Sequence, residues 1–316
     1  MPAADLRIHD NQVARTGNID GMPVRNDVLF TNDKGEDKKQ IQKRNERALQ
    51  KLAPALRHVL LPAETVLYIA RARSPLTVVE QLTAAWWTAL LAASAIVITN
   101  KRILFFPVKR DGSWRESVRA VQWGDLEEAK PKGLLVRNVT FKFKNGIKIT
   151  YTNFHRADAK KIAAIATALL PAASGESTST HGWIQLCPDC RNILTLGQYF
   201  CSSCGLTFKN EKSMVTRSIL LPGGGYFYTG HPLVAVIPAV VEGLLVLEIL
   251  VFLFAGLATP KAMPNILSGL AFLAFFWAIE TAVTILHCRR YVREYIPEKR
   301  DLARARQEDF AAKIGG

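Results

Sequence analysis

The sequence predicts a multidomain chain made of three unlike parts: a β-rich domain closed by a helix, a small four-cysteine metal unit, and an α-helical transmembrane hairpin. Three observations carry this. Between 62 and 171, short runs alternating apolar and polar residues lead into an Ala-rich helix. Residues 187–204 read C-x2-C, ten residues, C-x2-C. Residues 233–258 and 266–287 are apolar apart from Glu242, Glu248, Glu280 and His287, and about 20 such residues cross a bilayer core.

Taken in order, residues 1–36 are polar, rich in Asp and Asn and without periodicity, and read as disordered. Residues 37–61 form an amphipathic helix with Ile41, Leu49, Leu52 and Leu56 on one face. It either lies on a membrane surface or packs on the next domain. Within 62–171, strands are expected at 64–70, 95–99, 102–106 and 118–123. A hairpin follows, in which Val139, Phe141 and Phe143 alternate with Thr140, Lys142 and Lys144. Asn145-Gly146 supplies its turn, because both positions tolerate positive φ. A helix over 157–170 stops at Pro171. The uncharged stretch 82–99 admits a buried element of this domain or a further membrane span. Residues 172–182 read as a flexible linker, 183–212 as the metal unit, 217–288 as the hairpin and 289–316 as a basic cytoplasmic tail helix.

Charge is unevenly placed. Of a net +14, residues 58–171 contribute 17 basic against 8 acidic groups. Lys101, Arg102, Lys109, Arg110, Lys142, Lys144 and Lys148 occupy strand ends or outward positions and form a candidate lipid- or partner-binding face. Near anionic headgroups each such cation contributes about 1 kcal/mol. A merely solvated sheet face is the competing reading. Exposed aromatics do not interleave with these cations, so specific nucleic-acid binding is not expected.

Cys187, Cys190, Cys201 and Cys204 are the metal candidates. Two residues between thiolates let one tight turn aim both sulfurs at a single ion, and two such knuckles complete a tetrahedral S4 site suited to Zn²⁺. Four sulfurs leave no open coordination position, so one structural zinc per chain is expected, with iron in the same ligand set an alternative. Cys288 stands alone at the end of the second apolar run and reads as a small apolar residue.

Lys209, Lys212 and Arg217 precede the hairpin, Arg289, Arg290 and Arg293 follow it, and its turn holds only Lys261. By the positive-inside rule both termini are cytoplasmic. No apolar core region follows Met1, so the hairpin itself is expected to direct insertion. A reducing cytoplasm favours metal ligation over disulfides for the cysteines. Glu242 and Glu280 fall at similar depth, and Glu248 near the bilayer middle. An acid there costs about 2.5–3.5 kcal/mol on insertion scales, so Glu248 is expected at a helix–helix contact between protomers of a homo-oligomer, with a neutral acid tolerated in lipid as the alternative.

The four-cysteine unit resembles the zinc ribbons that sit beside membrane segments in many bacterial proteins. Pro222, Gly223, Gly225, Tyr228 and Gly230 match the Pro-Gly-x-Gly-x-x-Tyr-x-Gly signature of small bacterial two-helix membrane hairpins, a resemblance that implies insertion and little about activity. Residues 62–171 resemble a bacterial pleckstrin-homology-like, GRAM-like domain. The resemblance rests on Pro62-Ala63-Glu64 entering a strand, Ile98-Thr99-Asn100-Lys101-Arg102-Ile103 as strand–turn–strand, the Asn-Gly hairpin and the closing helix. It implies a PH-like bent β-sheet or barrel with a C-terminal helix that binds lipids or proteins and is not an enzyme. Trp86-Trp87 depart from the usual early strands, which leaves the strand count open.

The six histidines are scattered, and no His-Glu-x-x-His, Gly-x-Ser-x-Gly or phosphate loop occurs. The expected function is therefore a non-enzymatic binding or scaffolding protein of the bacterial cytoplasmic membrane that engages protein partners or anionic lipid. Alternatives are a sensor or effector whose hairpin oligomerises to perturb the membrane, and a tethered nucleic-acid-binding ribbon.

Overall fold

The computed structural model describes residues 16–76, 92–133, 137–172, 181–258 and 263–298. Outside the described residues lie most of the expected linker, Trp86-Trp87 and the rest of 82–91, the hairpin turn with Lys261, and the tail beyond 298. The chain divides into two compact units, 1–206 and 207–316.

The first unit carries ten strands among its described residues. A seven-stranded sheet runs β1 (Thr16–Ile19), β2 (Met22–Arg25), β3 (Val66–Arg73), β4 (Ala93–Thr99), β5 (Arg102–Pro107), β6 (Val118–Gln122) and β10 (Ile184–Leu186) in that spatial order. A second sheet holds β7 (Leu126–Lys132), β8 (Asn138–Phe143) and β9 (Lys148–Tyr151). The apolar runs of β4 and β5 have no polar face because both faces are covered. Ile96, Ile98, Ile103 and Phe105 pack with Phe141, Phe143 and Tyr151 of the second sheet and with helix α3 (Arg156–Leu169), through Ile162 and Ile165. Val97, Leu104 and Phe106 point the other way, onto Leu49, Leu52 and Leu56 of helix α2 (Lys39–Val59). The apolar stripe of α2 is thus core, and its surface-helix reading gives way to packing on the sheet.

Residues 16–29 correct the expectation of disorder over 1–36. They form the antiparallel β1–β2 hairpin and the short helix α1 (Asn26–Leu29). The hairpin turns on Asp20-Gly21, where φ is 51° and 79°, the positive pair a tight hairpin requires. Strands of four residues bury little alone. Val24 pairs in parallel with Val66 of β3, and Met22 and Val24 join the α2 core.

The second unit is helical: α4 (Glu211–Leu220), α5 (Gly224–Thr229), α6 (Pro232–Ala258) and α7 (Met263–Val292). Asn210 caps α4, its side chain accepting from Ser213 N at 2.8 Å. Both α6 and α7 are long and apolar enough to cross a membrane, with mean hydropathy 2.5 and 1.9 over windows that are only 11% buried. Leu233, Phe254 and Leu257 are 79%, 70% and 75% exposed, which no soluble core helix would show.

Candidate metal centre

The four cysteines converge. Their sulfurs all lie within 4.8 Å of one another, with Cys187–Cys204 at 3.6 Å and Cys190–Cys201 at 3.5 Å. Tetrahedral Zn–S bonds of about 2.3 Å place sulfurs about 3.8 Å apart, so the donor set fits a tetrathiolate ion.

The two knuckles repeat one backbone design. Arg191 N donates to Cys187 O at 3.0 Å and Cys187 N to Asn192 O at 2.8 Å. In the second knuckle Gly205 N donates to Cys201 O at 2.9 Å and Cys201 N to Leu206 O at 2.8 Å. The residue after each C-x2-C is left-handed, Arg191 at φ 65° and Gly205 at φ 73°. A glycine takes this conformation without strain, and Arg191 does not.

Thiolate formation is contested at Cys187, Cys201 and Cys204. Burial pushes the Cys187 thiol up, against amide N–H groups of Cys190 and Asp189 that favour the thiolate. Burial likewise pushes Cys204 up to about 11. At Cys201 burial is outweighed by the amides of Cys204 and Ser203, which draw its thiol down to about 7. A dication among the four sulfurs would favour all of them as thiolates.

The centre is built onto the sheet. Leu186, one residue before the first ligand, pairs with Val118, and Ile184 with Ala120. Leu186 is part of the α2 core. Arg119 stacks over Trp183 at 4.6 Å, and the His58 ring nitrogen bonds Asp189 O inside the first knuckle. The first unit takes in the whole knuckle pair and ends at Leu206, whereas the sequence placed 183–212 in a separate ribbon.

The basic candidates are not gathered on one face. Arg102 is buried, its guanidinium donating through Nε and Nη2 to the two Glu64 oxygens, each at 3.0 Å, and through Nη2 to Val59 O at 2.9 Å. Glu64 Oε1 also accepts from Thr99 Oγ1 and Oε2 from Leu61 N. Arg102 is therefore a structural residue that ties the end of α2 to the β4–β5 turn, and it is withdrawn from the lipid-binding set. Lys101 lies at that turn and donates to Pro62 O. Lys109 and Arg110 lie past the opposite end of β5. Lys142 and Lys148 face each other in register across β8 and β9, beside Lys144, with Lys142 ion-paired to Glu127.

In the second unit the glycine turn is packed too tightly for side chains. At Gly223 (φ 66°) a Cβ would meet Ala235 O at 2.6 Å; at Gly225 it would meet Ser218 Oγ at 2.3 Å. Glu242 is buried and accepts from Gly223 N at 2.7 Å through Oε2, so this acid of α6 closes the turn. Glu248 is exposed on α6 and Glu280 half-buried on α7.

Residues 60–167 match the family model described as the bacterial PH domain. No curated protein matches the chain. Among solved structures, the crystal structure of the C-terminal domain of an unknown protein from Leishmania infantum is similar at 13% identity. That match covers 42% of this chain and 96% of that one, with a TM-score of 0.23. The chain thus joins a sheet-rich domain that matches the bacterial PH family model, a four-cysteine cluster that could hold a metal and two helices long and apolar enough to span a membrane.

Proposed function

We propose that the protein is a non-enzymatic binding module anchored in the bacterial cytoplasmic membrane by α6 and α7. Its PH-like domain and zinc-held knuckles face the cytoplasm and engage a protein partner or anionic lipid. The observation that carries this reading is the contrast in burial: a domain matching the bacterial PH family is fully packed, while the two helices that follow it leave their apolar side chains uncovered. Zinc is the favoured ion because four thiolates in tetrahedral reach, without an open position, suit a structural site. Lys142, Lys144 and Lys148 remain the candidate lipid contact.

The full chain in zwitterionic nanodiscs should bind anionic vesicles with an affinity that falls as salt rises. Replacing Lys142, Lys144 and Lys148 with Glu should abolish it. Vesicle binding that persists in this variant would take the lipid role away from these lysines, and no binding by the parent would leave a protein partner, to be captured by crosslinking in native membranes.

The exposed carboxyl of Glu248 on an apolar helix supports a second reading, in which α6 packs against a second copy of the chain and the hairpin oligomerises to perturb the bilayer. Ion flux on overexpression, lost in Glu248→Leu, would favour it.

A further inference from the structure

A basic pocket lies between α2 and the seven-stranded sheet, with a volume of about 450 Å³, within the range of small-molecule sites. Lys43, Arg44, Arg47 and Lys51 line it from one face of α2, at helical spacing, and Arg71 enters from β3. Leu52, Ala95 and Val108 form an apolar part of its wall. Helix α2 precedes the family match, which begins at residue 60, so this pocket is one that the chain adds to the domain.

We infer that the pocket binds an anion carrying two or more phosphoryl groups. No acidic side chain lines it among the described residues. Of the five cations, Arg44 is offset by its ion pair with Asp158. Lys43 and Arg47 have no ion-pair partner among the described residues. Lys51 and Arg71 are held by backbone: the Lys51 ammonium donates to Asp111 O, and Arg71 Nη2 to Arg110 O at 3.2 Å. The neighbouring Asp111 carboxylate is engaged elsewhere, accepting from Ser113 N at 3.0 Å and Ser113 Oγ at 2.8 Å. Lys43, Arg47 and Arg71 are left without a carboxylate partner among the described residues, and Lys51 has only the field of the nearby Asp111, a positive charge greater than a single phosphoryl group neutralises.

The donor types fit as well. Two guanidinium forks free of carboxylates match phosphate oxygens bidentately, and the two ammonium groups add mobile point charges. Gly112 (φ 90°) makes the geometry possible. A Cβ there would come within 3.3 Å of the flexible Lys51 side chain and in ordinary contact, 3.5 Å, with Arg71 Cζ, so it is the positive φ that favours glycine where the β5–β6 connection passes both cations. The shared chemistry could be delivered by a soluble polyphosphate or by a diphosphate lipid headgroup.

The test uses the full chain in phosphatidylcholine nanodiscs, titrated calorimetrically with inorganic pyrophosphate and with ATP. Binding should weaken as salt rises and fall about tenfold or more in Arg47→Ala and in Arg71→Ala. Lys130→Ala, a distant surface change, should leave it intact. Arg47 makes no ion pair among the described residues, so its variant should melt like the parent, and Arg47→Lys should recover part of the affinity. Repeating the titration in discs containing diphosphatidylglycerol separates the sources. Unchanged pyrophosphate binding by the parent there assigns a soluble ligand, and pyrophosphate binding by the parent that weakens in proportion to the diphosphatidylglycerol content assigns the headgroup. No binding of either anion in either disc, or binding insensitive to both Arg variants, would overturn the inference. None of these outcomes depends on Lys142, Lys144 and Lys148, so failure here is distinct from failure of the vesicle reading.

Discussion

Strands β4 and β5 and helix α6 are about equally apolar, yet they meet opposite fates. Residues 95–98 and 103–106 are buried on both faces of the sheet, between α2 on one side and the second sheet with α3 on the other. Residues 233–257 leave most of their large side chains uncovered. Hydrophobicity alone therefore does not define a core. In the first unit the partner surfaces are encoded in the same chain. In the second they are missing among the described residues, and in the proposed reading about 30 Å of hydrocarbon supplies what those residues do not.

The largest effect that would break this comparison concerns the proposed metal, whose first ligand directly follows the first unit's last strand. Purified protein should carry about one Zn²⁺ per chain, and Cys187→Ser should release it, with a loss of several kcal/mol in the stability of that unit. Cys187 is fully buried beside Leu186 of β10, and Cys204 is exposed, so Cys204→Ser should release the metal with a smaller loss of sheet stability. Elemental analysis with thermal melting checks both. Metal-free reduced protein that melts like the parent would disprove the site.

Next, Leu104→Ala should destabilise the first unit by about 2–5 kcal/mol, as cavity-forming core changes do. Leu253→Ala, exposed on α6, should change the stability of the bilayer-inserted protein by much less. Denaturant unfolding of the reconstituted chain separates the two. Equal losses would place α6 in a protein core.

A smaller effect sharpens the same contrast. Lys161 is buried within the first unit and donates to Thr31 Oγ1 at 2.8 Å and Asn32 O at 2.9 Å. Burial draws its ammonium from 10.5 down to about 8. Its folded pKa lies below its unfolded value, so the unfolded chain holds more protons between about 8 and 10.5. Lys161 then makes stability rise with pH across that window. Lys161→Met should remove this slope, measured as the melting temperature against pH.

Much of this organisation was legible in the residues. The β4–β5 pairing followed from two short apolar runs around Asn100-Lys101, and the β8–β9 pairing from alternation around the Asn145-Gly146 turn. The sulfur cluster followed from the cysteine spacing, and the two long helices from the uncharged runs. What escaped had physical reasons. The β1–β2 hairpin has few apolar residues and is stabilised by α2 and β3, far along the chain, so composition pointed to disorder despite its Asp20-Gly21 signal. Arg102 read as a surface cation because its partner Glu64 lies 38 residues away. The fusion of the knuckles to the sheet depended on β10, three residues long, whose pairing with β6 leaves no local pattern. The cations at 43, 44, 47 and 51 did carry a signal, a helical stripe, but it was read only as the polar side of an amphipathic helix.

The central claim is that α6 and α7 cross the membrane and leave the first unit on the cytoplasmic side. The most direct measurement is labelling of intact cells with a membrane-impermeant thiol reagent at Lys261→Cys and, separately, at Arg289→Cys. Position 261 should label from outside, while position 289 should label only after lysis. Labelling of both positions from the same side, or release of the protein from membranes by alkaline carbonate, would contradict it.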